Sequence, residues 1–478
     1  MSKLVPISSS FLHRLLCPIA LGTVILAGCA ASKTVSPDIA NVAVPPGWQH
    51  APAVGAVATV ASPVKWWQAF GDPTLDTLIE AALQTSPDVG TALSKVKQAR
   101  ATYGVTRSSL LPNVSGSVAD TGTRSRDRKT EVVTRSETAT AGIDASWEID
   151  LFGRQLMAAK AAKADLEQME EEFRDAQITL AAEVASVYVA LRAAETELAA
   201  VSETVRTLQE TYSLSCWKER AGMGSALDAQ SALANLEQTR SELPVFQQTI
   251  VESRNRLALL SGKTPGSLDT LLAKPAPVPQ APSSFAVGIP ADTLRQRPDV
   301  RAAAHALEAA MARSSEARRQ RFPSLTLSGS IGVEALRANK LTSPESVVSN
   351  LAAGLTAPIF SGGSISQTIK LQEARENEGL IAYQAVILGA LSEVENALAS
   401  VQHGAESLDA VGKAEAAASE SSKLARLRYE AGDLDFYTYL DTQRTQFNLQ
   451  ESKIEKTASL TTAYITLYKA LGGGWAGI

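Results

Sequence analysis

The chain has 478 residues, 45% of them hydrophobic and 20% charged, with a formal net charge of −5. That length and apolar content can bury a sizeable core, while the acidic balance excludes nucleic acid as a main partner, because phosphate binding needs a basic surface. Aromatic residues make up only 5% of the chain and alanine is abundant, which suits close helix–helix packing.

The N-terminus reads as a signal peptide over residues 1–28. Lys3, His13 and Arg14 precede the apolar run LLCPIALGTVILAG, which is short for a membrane span and suits an h-region. The run closes on Leu26-Ala27-Gly28-Cys29. This resembles the lipobox of bacterial lipoproteins and implies that Cys29 becomes the lipidated first residue, carrying palmitate. Ala30 in place of Asp implies sorting to the outer membrane. The plainer alternative is an ordinary secretory signal with Cys29 a bystander. Cys17 leaves with the signal, so only Cys216 would remain as a free thiol and no intramolecular disulfide is expected. Cys216 reads as a small packing residue. Residues 29–64 lack periodicity, hold Pro and Gly, and read as an extended arm.

From Trp66 onward helical patterns dominate, and the chain is internally duplicated. The stretch beginning SPDVGTALSKV at Ser86 aligns without a gap with RPDVRAAAHAL at Arg297, an offset of 211 residues; Pro112 falls on Pro323. The first copy spans 65–272 and the second 291–471, with a Pro-rich linker at 273–290 and a tail at 472–478. Each copy carries two stretches of alternating apolar and polar residues, near 113–120 and 139–152, and near 324–334 and 350–360. Polar loops at 121–138 and 335–349 join each pair. In ATAGIDASWEIDLFG, residues Ile143, Ala145, Trp147 and Ile149 share one parity, and Asp144, Glu148 and Asp150 the other.

The remaining segments read as long helices. From Leu166 to Leu208 the apolar positions recur with a mean spacing of 3.5 residues, the coiled-coil period. Charges recur nearly every turn, so these helices do not cross a membrane. The first long helix extends from Arg154 to Arg220, turns at AGMGSALD, and returns with a kink at Pro244. The second runs from Ser364 to Glu430, turns at AGDLD and returns to Leu471. Gly222 and Gly432 supply the left-handed backbone at the two turns.

Alternation over about ten residues is the signature of a transmembrane β-strand, with one face in lipid and the other in a wet lumen. Asp144, Glu148 and Asp150 would face that water. Four strands cannot close a barrel, and an open edge in lipid leaves backbone groups unpaired. The chain is therefore expected to oligomerise. A dimer gives eight strands and a filled lumen; a trimer gives twelve and room for a channel.

The stretches WWQAFGDPTLDTLIEAAL, ASWEIDLFGR, GIPADTLRQRPDVRAA, RFPSLTLSGSIG, PIFSGGSI and RYEAGDLDFYTYLDTQRTQFN together resemble the TolC-like outer-membrane factors of tripartite pumps, in the lipoprotein (OprM-like or NodT-like) branch. The resemblance implies a mainly α fold with a small transmembrane β part: a homotrimeric 12-stranded β-barrel continued by a long periplasmic α-helical barrel. It also implies outer-membrane lipid around the barrel, a periplasmic adaptor (membrane fusion) protein and an inner-membrane efflux transporter as partners, and passive conduction of exported small molecules. Asp441 matches the carboxylate that constricts the periplasmic tip, and Tyr429 and Asp228 match residues that tie the coils in the closed state. The sequence departs from the TolC pattern after Gly432, where Asp433, Leu434 and Asp435 stand in place of a basic residue. Closure would then rest on hydrogen bonds and packing of Leu434, Tyr437 and Leu440. Without the resemblance, Asp228 and Asp441 read as helix caps or a solvated face near a turn.

Nothing in the sequence suggests an enzyme or a cofactor. SGKT at 261–264 lacks the upstream Gly of a phosphate loop, with Leu257 in its place, and ends a helix rather than starting one. The histidines at 13, 50, 305 and 403 show no metal-ligand spacing. The alternative to a conduit is a non-conducting periplasmic coiled-coil lipoprotein scaffold.

Overall fold

A computed structural model describes residues 44–50, 65–281, 290–343 and 346–473. The signal segment, Cys29, most of the 29–64 arm, positions 282–289 of the linker and the tail beyond Gly473 lie outside the described residues. Element order follows local capping chemistry. Asp72 accepts the N–H groups of Thr74 and Leu75 and starts α1 (Pro73–Thr85). Ser86 ends α1 and caps α2 (Pro87–Ser108). Proline opens both helices, where its missing N–H costs nothing. Then follow β1 (Asn113–Arg126), β2 (Val133–Ile149), α3 (Arg154–Arg220), α4 (Ala226–Arg240) and α5 (Leu243–Leu260). After the linker come α6 (Pro290–Gln296), α7 (Pro298–Arg319), β3 (Ser324–Ala335), β4 (Ser346–Thr356), α8 (Ser364–Ala431) and α9 (Phe436–Ala470). The order α2-β1-β2-α3 thus recurs as α7-β3-β4-α8.

The four strands form one antiparallel sheet in the order β1-β2-β3-β4. Their bounds differ from the alternating stretches in a consistent direction. β1 and β2 continue to pair through Thr121↔Thr138, Arg124↔Arg135 and Arg126↔Val133, so the expected loop at 121–138 shrinks to a turn at 127–132. Both faces there are exposed, and a ribbon wet on both sides has no reason to alternate. At the opposite end β2 stops at Ile149 and β4 at Thr356, before the expected 152 and 360. Gly153 (φ +74°) and Gly363 (φ +86°) start the long helices there.

Below the sheet the helices keep the strand order: α2 packs on α3, α3 on α7, and α7 on α8. Farther along, α4 and α5 return against α3, while α9 returns against α8 and also lies on α3. α3 has 67 residues and extends about 100 Å at 1.5 Å per residue. The return in the first half is broken at Ser241-Glu242, just before Pro244, whereas α9 runs unbroken. No described helix is long and apolar enough to cross a membrane.

The main core gathers where the helical layer is thickest. Trp66, Trp67, Leu75, Ile79, Tyr188, Leu191, Leu257, Leu398 and Ile465 are all buried in it, and each such leucine contributes ~1.5–3 kcal/mol by leaving water. The Trp66 ring stacks on Tyr468, centroids 5.4 Å apart, and the Tyr188 hydroxyl donates to Asp72 at 2.6 Å. Buried Arg192 donates to Glu195 and to the Lys274 carbonyl, and Arg254 donates to Glu195 and the Leu272 carbonyl. Thr461 donates to the Pro279 carbonyl. These bonds strap the described part of the linker across α3, α5 and α9. The arm is held likewise: Gln49 N–H and the His50 ring meet Glu395 of α8, and Trp48 is buried.

Candidate functional site

The sheet separates chemistry onto two faces. Antiparallel partners share a face, so the register reads out each face as rows. One face carries Val118–Ala141–Val333–Val347, Val114–Ala145–Gly329–Leu351, Trp147–Leu327–Ala353 and Ile149–Leu325–Leu355. The other carries Ser115–Asp144–Ser330–Asn350, Asn113–Ser146–Ser328–Ala352 and Glu148–Thr326–Gly354. Val118, Ile143, Ile331, Leu351 and Leu355 are exposed although apolar. A contiguous exposed apolar face marks contact with lipid or another protein. The polar face is concave, with Asn113, Ser115, Asp144, Ser146, Ser328, Ser330 and Asn350 lining one hollow.

The β2 and β3 backbones approach closely at one pair of glycines. Gly142 faces Gly332, and a Cβ on Gly332 would stand 2.8 Å from the Ala141 carbonyl oxygen. Only glycine allows that approach of the backbones.

Asp144 and Glu148 sit on the polar face, where Ser117 Oγ donates to Asp144 at 2.9 Å and Glu148 pairs with Arg154 at 2.7 Å. Asp150 does not join them. It lies past the end of β2, and its carboxylate accepts the Leu156 N–H at 2.8 Å, capping the first turn of α3 where no side chain of Gly153 can. At the junction of sheet and helices, Leu111, Leu151, Phe322, Ile359 and Phe360 are exposed and Phe152 stacks on Phe322 at 4.9 Å.

The far tip is a second candidate region. Gly432 (φ +84°) ends α8 and Asp435 caps α9 through the Thr438 N–H. Tyr429 is buried, stacks on Tyr439 at 4.9 Å and leans on Phe436. Burial raises its phenol above the ordinary tyrosine range, and the nearby Asp228 carboxylate adds to the rise. Asp228 also closes a capping box with Ser225 at the start of α4, the role expected of it without the resemblance. Asp441 is exposed on α9. Leu440 is buried and Leu434 packs against the tip cluster, but Tyr437 is 77% exposed. Tyr439 and Phe436 take the packing role expected of Tyr437, because helix phase turns Tyr437 outward.

A cation is present at the tip after all, and it comes from the other hairpin. Lys218 of α3 places Nζ 3.7 Å from the Tyr429 ring centroid and donates to the Tyr429 carbonyl at 3.4 Å. A cation–π contact of this kind is worth ~0.5–2 kcal/mol. Sequence reasoning missed it because the partners are 211 residues apart and Lys218 lies in no motif.

The broken return opens a groove between the hairpins, lined among others by Glu197, Thr204, Glu242, Arg444, Phe447 and Glu451. Burial first, then the Glu451 and Glu455 carboxylates, push the Glu197 carboxyl up to about 7.

Solved structures with this architecture are outer-membrane channels. The family model described as outer membrane efflux protein matches residues 78–263 and 289–473. The chain therefore belongs to the outer membrane efflux protein family. It is 31% identical to the probable efflux pump outer membrane protein TtgC of Pseudomonas putida, over 96% of this chain and 95% of that one. It is also 31% identical to the outer membrane protein OprJ of Pseudomonas aeruginosa, over 94% of each. Among solved structures, the outer-membrane channel OprN superposes with a TM-score of 0.86 at 28% identity, covering 90% of this chain and 97% of that one.

Proposed function

We propose that the protein is the outer-membrane channel of a tripartite efflux pump, conducting small molecules passively as a homotrimer. The observation that carries this reading is the sheet. It has an exposed apolar face, a concave polar face, and open edges at β1 and β4, above helices laid out in the same order. Open edges in hydrocarbon leave backbone groups unpaired, so further copies must continue the sheet. Three copies give twelve strands, enough for an aqueous lumen. Two halves with the same element order then act as a duplicated unit, six around the axis.

Cys29 anchors the chain to the outer membrane by its lipid in this reading, and the helices extend into the periplasm toward an adaptor and an inner-membrane transporter. Relatives are named for antibiotic, toluene, pyoverdine and cation efflux. Such a spread fits a conduit whose cargo is selected by its partners. At the tip, Tyr429 and Asp228 join the two hairpins as the closed gate, with Lys218 seated on the Tyr429 ring as its cation. Asp441, repeated around the axis, forms a negative ring that favours cations.

The test is reconstitution. The detergent-extracted protein is expected to migrate as a heat-labile trimer and to conduct ions in planar bilayers. A monomer that is silent in bilayers would instead support the periplasmic scaffold. Asp441→Asn is expected to lower cation preference in the same recordings, and unchanged selectivity would remove Asp441 from the constriction.

A further inference from the structure

The seam between α3 and α7 is a ladder of basic side chains from α7 meeting acceptors near or on α3. Arg319 donates to the Phe152 carbonyl, Arg313 pairs with Asp165, and Arg301 pairs with buried Glu171. One rung differs. His305 stands between Glu167 of α3 and Glu308 of its own helix. Its Nδ1 lies 3.1 Å from Glu308 Oε2 and 3.8 Å from Glu167 Oε2.

Three features set this rung apart from a plain ion pair. First, one ring nitrogen faces two carboxylates, and a proton on Nδ1 can satisfy only one of them. Second, the three ligand atoms lie within 4.8 Å of one another. Ligands held at ~2.1 Å from a zinc-sized ion sit ~3.0–3.4 Å apart, so only the Glu167 side chain needs to close in. Third, Lys163 holds the other oxygen of Glu167, Oε1, at 2.9 Å. That orients the carboxylate with Oε2 toward the ring, the work of an outer-shell partner. Glu167 and His305 are half-buried and Glu308 is exposed, so the remaining coordination positions open to water.

We propose that Glu167, His305 and Glu308 bind a divalent cation of the zinc class, which staples α3 to α7 below the sheet. One imidazole and two carboxylates suit Zn²⁺ or a neighbouring first-row ion better than Ca²⁺ or Mg²⁺, which prefer all-oxygen shells. The site joins two helices 138 residues apart in sequence, which is why no local spacing announces it. The other described histidines lack the second carboxylate: His50 meets Glu395 and His403 meets Glu406.

The test is calorimetric titration of Zn²⁺ into the untagged, chelator-treated full chain in detergent, in a Cys216→Ser background so that the thiol does not compete. One saturable site per chain is expected, with a Zn²⁺-dependent rise in the thermal midpoint. His305→Arg completes the arginine ladder and so should keep the fold. It is expected to weaken Zn²⁺ binding at least ~10-fold, the scale on which even outer-shell partners act, and to abolish the midpoint shift. Glu308→Gln should weaken binding in the same direction, and His403→Ala should leave it unchanged. Absence of a saturable site in the parent, or undiminished binding by His305→Arg, would overturn the proposal.

Discussion

Helices α3 and α8 are near equals in length, 67 and 68 residues, and hold equivalent places in the two halves of the chain. Yet α3 buries 25 of its residues and α8 only 11. Length and composition do not explain the difference; position does. α3 is central, touched by α1, α2, α4, α5, α7 and α9. α8 lies at the end of the layer beneath β4, and its Leu371, Ile381 and Leu388 stay exposed. On the opposite flank α2 buries only Val89 and Val96 and leaves Val105 exposed. In the proposed trimer these two unfinished flanks would meet, α8 of one subunit against α2 of the next.

The contrast can be broken by substitution. Leu191→Ala in α3 removes a fully buried side chain and is expected to cost about 2–5 kcal/mol in chemical unfolding. Ile381→Ala on α8, where the residue is 57% exposed, should cost no more than ~0.5 kcal/mol in the dissociated subunit while lowering the temperature at which the proposed trimer dissociates. A loss of several kcal/mol at both positions would mean that α8 has its full set of partners within one chain.

A smaller effect comes from the groove at the broken return. Glu197 has a folded-state pKa of about 7 against an ordinary 4.5. The folded chain therefore keeps a proton that the unfolded chain releases. Stability from this group is fully present below about 4.5 and is lost as pH rises through 7. Unfolding midpoints should fall between pH 5 and 8, and Glu197→Gln should flatten that slope. A slope unaltered by Glu197→Gln would place the titration elsewhere, with Glu242, which burial also raises, the next group to test.

The sequence carried the sheet's faces because a strand wet on one side must alternate, and Ile143 to Ile149 do so. It carried strand ends poorly. Arg124, Arg126, Arg135 and Glu137 pair beyond the apolar band, where both faces are wet and alternation has no cause. Asp150 keeps the parity of Asp144 but leaves the strand, so parity alone assigned it to the wrong partner. The long helices were legible from their 3.5-residue period, and the two turns from Gly222 and Gly432. Long-range pairs were not. Lys218 with Tyr429 and His305 with Glu167 depend on how hairpins and seams stack, and no local pattern encodes that.

The most direct measurement is spin-label accessibility in reconstituted bilayers. Labels at Val118, Ile143, Ile331 and Leu351 are expected to favour collision with oxygen dissolved in the acyl chains. Labels at Ser117, Asp144, Ser330 and Asn350 are expected to favour a water-soluble nickel complex, with the preference reversing between adjacent residues such as Ile143 and Asp144. Equal accessibility of both sets to either reagent would contradict a sheet with hydrocarbon on one side and an aqueous lumen on the other.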